Sequence, residues 1–198
     1  ARALQFVRAH SVVRQRADTV VGLLVEQVDR FAAQPQIGRT HGQHALPITV
    51  GFWFATILNR VLADLQSANG AAEKLVGKIS GAVGVYNAQV GLGIAARAGE
   101  RSFEARVLEK LGLRPSPIST QILPPEPLAD YLFACVKLSA AFGQFGRDGR
   151  HLMRTEIGEL GEPFEKGQVG SSTMAHKRNP ITFENLEGTW IKNQVEFG

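Results

Sequence analysis

The sequence contains one cysteine, Cys135, among 198 residues. No disulfide can form within the chain, and a reducing, intracellular setting is expected. Cys135 sits in the apolar stretch Leu132 to Leu138 and reads as a core residue rather than a nucleophile. Long hydrophobic runs are missing as well. The longest nearly unbroken one, Ala45 to Leu58, is about 14 residues, contains Pro47, Thr49 and Thr56, and is too short to cross a bilayer. No signal-peptide pattern is visible at Ala1, so the expectation is a cytoplasmic protein with no membrane partner. Runs of one charge are also absent. The net charge of +4 comes from 22 basic and 18 acidic residues scattered along the chain, which favours an enzyme handling anionic small molecules over a nucleic-acid binder. No convincing strand run and no repeat of roughly 20–50 residues is found.

The chain does have apolar residues at helical spacing. With 44% hydrophobic residues it can bury a core as one domain, residues 1–198. Residues 3–33 read as one helix, with Val13, Ala17, Val20, Leu24, Val28 and Phe31 three or four apart; Gln34-Pro35 ends it. A second begins near Thr49 and carries the seam Phe54, Leu58, Val61, Leu65, Ala68, Ala72, Leu75, Ile79. The glycine-rich stretch 77–93 is expected to interrupt helices or let backbones approach. A short helix over 100–111 ends at Gly112, and 115–127 is irregular. A third long helix spans 127–156 with Leu128, Leu132, Cys135, Leu138, Phe142 and Phe145 inward, and another occupies 181–197. Helices this long far exceed the usual length of about 11 residues. The predicted fold is therefore all-α, a long-helix bundle whose core is completed by oligomerisation. The chain opens and stops inside helical patterns, which suggests a piece of something longer.

Reactive side chains gather where the long helices break, as they often do on loops held by a rigid scaffold. The first break is Gly38-Arg39-Thr40-His41-Gly42-Gln43. The second is Gly170-Ser171-Ser172-Thr173-Met174-Ala175-His176-Lys177-Arg178-Asn179-Pro180, continuing to Glu184 and Asn185. Two serine hydroxyls, two cations and an amide among small residues make the second an anion-binding inventory. Composition alone would favour a solvated surface loop.

Taken as full strings, Gly-Arg-Thr-His-Gly-Gln and, about 130 residues later, Gly-Ser-Ser-x-Met-x-x-Lys-x-Asn-Pro-x-x-x-Glu resemble the fumarase/aspartase superfamily. The resemblance extends over essentially the whole chain. Lys78-Ile79-Ser80-Gly81-Ala82-Val83-Gly84, Ser119-Thr120-Gln121 and the glycine after His41 favour its adenylosuccinate lyase branch. It implies a cofactor-free and metal-free lyase that eliminates fumarate from adenylosuccinate and the related purine-pathway succinyl intermediate. Ser171 would be the general base, made basic by nearby cations and oriented N–H groups in a dry site. His41 would be the general acid that protonates the departing nitrogen, with Glu184 orienting it. Lys177 and Asn179 would meet the substrate carboxylate, and Thr40, Gln121, Ser172, Arg178 and Asn185 match further substrate-binding positions. The resemblance also implies a homotetramer whose sites are assembled from three subunits. N- and C-terminal domains would lie outside this chain, which alone would be inactive. Ala175 departs from the proline usual in that string and should loosen the loop backbone. Two alternatives stand beside this reading: a 3-carboxy-cis,cis-muconate cycloisomerase-like enzyme of the same superfamily, and a catalytically inactive helical scaffold.

Overall fold

The computed structural model describes residues 2–97, 102–163, 167, 170, 173–174 and 176–197. In chain order its elements are α1 (Arg2–Arg30), β1 (Pro35–Thr40), β2 (Gln43–Thr49), α2 (Val50–Ala72), β3 (Val76–Gly77), α3 (Asn87–Gly91), α4 (Ile94–Arg97), α5 (Phe103–Lys110), β4 (Arg114–Pro115), α6 (Glu126–Leu152) and α7 (Ile181–Phe197). The fold is mostly helical, with α1, α2 and α6 of 29, 23 and 27 residues. The chain divides into two compact units, Ala1–Gly22 with Leu65–Ala134, and Leu23–Asp64 with Cys135–Gly198.

In the first unit, Leu65, Ala68, Ala72 and Leu75 of the expected seam are buried, together with Leu108, Leu113 and Tyr131. Phe6 and His10 meet the Tyr131 ring edge-on at 6.0 and 5.5 Å. Ser102 caps α5 by accepting the Ala105 N–H. The next acidic residue, Glu104, is buried at 3% exposure. Its carboxylate accepts the Ile79 N–H and, at 2.6 Å, the Tyr86 hydroxyl. The stretch 78–86, where the glycines were expected to break the helices, is thus held by a side chain rather than by a ladder. That bond pushes the Tyr86 phenol above its ordinary range.

In the second unit a chain of aromatic contacts joins three helices and the turn after α1. Phe31, just past α1, stacks on Phe54 of α2; Trp53 and Phe54 meet Phe145 of α6; and Phe145 meets Phe183 of α7 edge-on at 5.5 Å. Ile57 and Val61 of α2 are 1% and 0% exposed, each contributing about 1.5–3 kcal/mol by leaving water.

Two expectations need correction. The inward line of α6 is Tyr131, Ala134, Leu138 and Ala141, while Leu128, Leu132, Cys135, Phe142 and Phe145 are only half-buried. Smaller residues hold the buried face, and its C-terminal part carries Gly143, Gly146 and Gly149 against α7. Second, residues expected to form a polar loop form a β-hairpin, and β3 pairs with β4 in a two-residue parallel bridge. Among the described residues, large apolar side chains remain exposed on α1 (Val12, Leu23), on the hairpin (Leu46, 78% exposed), on α2 (Phe52, Leu62) and on α7 (Ile191, Val195). No described helix is long and apolar enough to cross a membrane.

Candidate active site

The first chemistry-bearing segment is the hairpin. β1 and β2 pair antiparallel with Thr40 opposite Gln43, which leaves His41 and Gly42 as a two-residue turn. Both have positive φ, 55° and 74°. This is the condition for the turn whose twist matches that of the strands. Glycine adopts such a φ freely, whereas histidine does so at a cost. Thr40, His41 and Gly42 are exposed. The base of the hairpin is fixed by Arg39, whose Nη1 and Nη2 donate to Glu159 Oε2 and Oε1 at 3.0 and 2.5 Å. Gln36 Nε2 adds a third bond to Oε2 at 3.1 Å. The Arg39 guanidinium holds the Glu159 carboxyl below the usual carboxylate range, and Glu159 in turn raises Arg39.

The second segment leads into α7. Ser171 and Ser172, the expected base and its neighbour, lie outside the described residues, as does Ala175. Of the rest, Lys177 N–H closes a turn on Met174 O. Asn179 Nδ2 donates to Gly170 O at 3.2 Å. Pro180 precedes α7, which raises Glu184 and Asn185 in its first turns.

Beside this segment opens a cleft of about 1140 Å³. It brings together Lys177, Arg178, Asn179 and Glu184 with a basic group from the end of α6: Arg147, Arg150, His151 and Arg154. Five guanidinium or ammonium groups face three carboxylates there, so the cleft favours anions. Part of that charge is already committed. Arg147 Nε donates to Glu187 Oε1 at 2.8 Å and Arg150 donates to Oε2, while the Arg147 guanidinium also lies over the Trp190 ring. Glu187 is 8% exposed, and its two arginines hold it below the usual carboxylate range. The side chains of Lys177 and Arg154 make no hydrogen bond or ion pair among the described residues and remain available to a ligand. His151 and Arg154 also line a second cavity of about 440 Å³ under the hairpin, with Arg39 and Gly42.

Not every expected residue converges. His41 makes no hydrogen bond to Glu184 and does not line the larger cleft; nor does Thr40. Asn185 lines a separate small cavity with Thr182 and Trp190. Gln121 belongs to the first unit, where its carbonyl accepts from Lys78 Nζ. Sequence reasoning missed the α6 cluster. Its signal was the recurrence of basic residues at 147, 150, 151 and 154, three or four apart across the end of the expected helix. Among the described residues no group of three or more His, Cys, Asp or Glu side chains is placed to hold a metal ion.

A family model described as a lyase matches residues 3–194. The chain belongs to this lyase family, within the fumarase/aspartase superfamily. It is 39% identical over 189 residues to an adenylosuccinate lyase of Thermotoga maritima, covering 95% of this chain and 42% of that one. It is 38% identical over 182 residues to an N-acetyl-S-(2-succino)cysteine lyase of Dickeya dadantii, covering 88% and 38%. Among solved structures, a 3-carboxy-cis,cis-muconate lactonizing enzyme from Pseudomonas putida superposes with a TM-score of 0.80 at 28% identity, covering 98% of this chain and 42% of that one. The chain thus spans about two fifths of the length of the relatives it matches.

The Glu187 cluster makes the acid stability of this chain testable. A carboxylate whose pKa is lower in the folded state stabilises the fold above its ordinary value of 4.5. That contribution fades as the pH falls through the folded pKa. Melting temperatures recorded from pH 7 to pH 3 should therefore drop on acidification. Glu187→Gln should melt lower than wild type at pH 7, with a shallower drop below pH 4.5. Parallel curves would remove Glu187 from that account.

Proposed function

We propose that this chain is the portion of a fumarate-releasing lyase that carries two of its catalytic segments, with adenylosuccinate as the substrate. The observation that carries the reading is the cationic cleft in which Lys177, Asn179 and Glu184 meet. The 39% identity to an adenylosuccinate lyase supports the choice of substrate. In this reading Ser171 removes the proton from the carbon beside a substrate carboxylate. The electron pair spreads onto that carboxylate, where Lys177 and Asn179 meet the growing charge. The C–N bond then breaks, the pair forms the double bond of fumarate, and His41 delivers a proton to the departing nitrogen. Within one chain His41 does not reach Glu184, so the acid in each cleft comes from the hairpin tip of another copy. The exposed apolar side chains of α1, α2 and α7 suit such an assembly, a homotetramer.

A second reading has its own support, the 38% identity to an N-acetyl-S-(2-succino)cysteine lyase. It differs in the atom expelled: a thiolate leaves with less help from an acid than an amine does. The experiment is fumarate release by the full-length protein from adenylosuccinate and from N-acetyl-S-(2-succino)cysteine. The expected result is kcat/KM at least about 100-fold higher for adenylosuccinate, a discrimination of the size that differential transition-state contacts supply. The reverse preference would replace the first reading with the second.

A further inference from the structure

Between α6 and the loop that carries Lys177, two glutamates make contacts in opposite directions. Glu159 takes the Arg39 guanidinium through both carboxylate oxygens and the Gln36 amide as well. It thereby grips β1 one residue before Thr40 and two before His41. Glu162 faces α7, where its Oε2 and Oε1 accept the N–H groups of Thr182 and Phe183 at 3.2 and 3.0 Å.

The first turn of a helix leaves N–H groups without intrahelical partners, and the residue just before it usually offers a side-chain oxygen. Here that residue is Pro180, which has none. The Ile181 N–H reaches Asn179 O and the Glu184 N–H reaches Pro180 O, each at 2.9 Å. Glu162 satisfies the two donors between them, with its negative charge at the positive end of the helix dipole. Glu162 and Thr182 are 20 residues apart in sequence. The contact therefore closes the neck of the loop that bears Lys177 and Asn179.

We propose that Glu159 and Glu162 form a positioning strap. Glu159 sets the hairpin tip that presents His41. Glu162 sets the base of the loop and the first turn of α7, which present Asn179 and Glu184. The proposal rests on the fumarate-releasing reading for its kinetic consequences but not for its geometry. A displacement of about 1 Å at a reacting group can reduce rate by as much as 10²-fold. The two arms should differ in what they displace. Loosening the Glu159 arm misplaces the acid and lowers kcat. Loosening the Glu162 arm misplaces the groups that hold the substrate carboxylate and raises KM.

The test is steady-state kinetics of the full-length protein on adenylosuccinate, normalised to folded protein. Hydrogen exchange of the Thr182 and Phe183 amides is measured alongside. Glu159→Gln should lower kcat about tenfold or more with KM within about twofold. Glu162→Gln should raise KM about tenfold with a smaller loss of kcat, and its two amides should exchange about tenfold faster or more. Glu159→Asp and Glu162→Asp, which keep charge and both acceptor oxygens, should recover part of each loss. The strap is overturned if both glutamine variants change only the folded fraction, if they show the same split, or if aspartate recovers nothing. Should wild type release no fumarate, the functional reading fails by itself. The amides then decide the strap: faster exchange in Glu162→Gln supports it, and unchanged exchange overturns it.

Discussion

Changing His41 to alanine in the full-length protein should lower kcat by about 10²–10⁴-fold, the usual worth of a positioned acid or base, while KM changes little. Ser171→Ala should behave in the same way. In the proposed elimination both groups act on protons in flight, and neither is needed to hold the ground-state substrate. Lys177→Ala should differ, because its charge meets the carboxylate before and during the reaction, so KM should rise as kcat falls. Its side chain makes no other bond or ion pair among the described residues, which leaves the ammonium available for that task. Glu184→Gln should shift the pH–rate profile, since it removes the carboxylate proposed to orient the imidazole of another copy. Fumarate release measured over pH 5.5–9 separates the four variants. Wild-type kcat in Ser171→Ala would mean that another group is the base and that the elimination proposed above is wrong.

Gly146→Ala should be among the most destabilising single-methyl changes in the second unit. A Cβ at Gly146 would lie 2.7 Å from Phe183 O, 2.9 Å from Leu186 Cβ and 3.0 Å from Glu187 N. Two of those three neighbours are backbone atoms of α7, which cannot rotate aside, so the helix itself must move. Overpacking of this kind costs about 1–3 kcal/mol, and a chain of this size loses about 2–4 °C in Tm for each kcal/mol. Because α7 carries Glu184 and Glu187, KM should rise with the fall in Tm. Gly188 in the same helix is the control, for a Cβ there meets nothing within 4 Å. Gly188→Ala should stabilise by about 0.5–1 kcal/mol, the helix preference for alanine. Calorimetry of the two variants side by side gives the comparison. An unchanged Tm in Gly146→Ala would show that α6 and α7 do not pack as closely as described.

The helices were legible because their apolar residues recur at helical spacing, and α2 is the clearest case. Six of its eight seam positions, from Phe54 to Ala72, lie within the helix and are buried or half-buried, while Leu75 (buried) and Ile79 (half-buried) lie beyond its end. On α6 the period was right and Leu138 is buried as expected, but the rest of the expected line is offset from the buried one. Alanine and glycine hold the buried face, and a reading that follows bulk picks Phe142 and Phe145 over Ala141 and Gly146. The hairpin escaped notice for a different reason. Polar residues fill 38–44, Pro47 interrupts β2, and a His-Gly pair is a weaker turn signal than Asn-Gly. Of the candidate site, residues 177–185 were readable as an anion-binding set because the string is contiguous. Arg39, Glu159, Glu162 and Glu187 were not, since their partners lie between 20 and 123 residues away and no local pattern announces such pairings.

The turn at the hairpin tip places fitness and sturdiness in opposition at one position. His41 holds a left-handed backbone conformation, φ 55°, at a cost of about 1–2 kcal/mol relative to glycine. Glycine would relieve that cost fully and asparagine in part, but neither carries an imidazole to pass a proton. On the role proposed for His41, selection for proton delivery is what keeps an imidazole there. In a lineage released from that selection, drift should run toward asparagine or glycine, giving descendants that outlast the ancestor on heating and no longer turn over substrate.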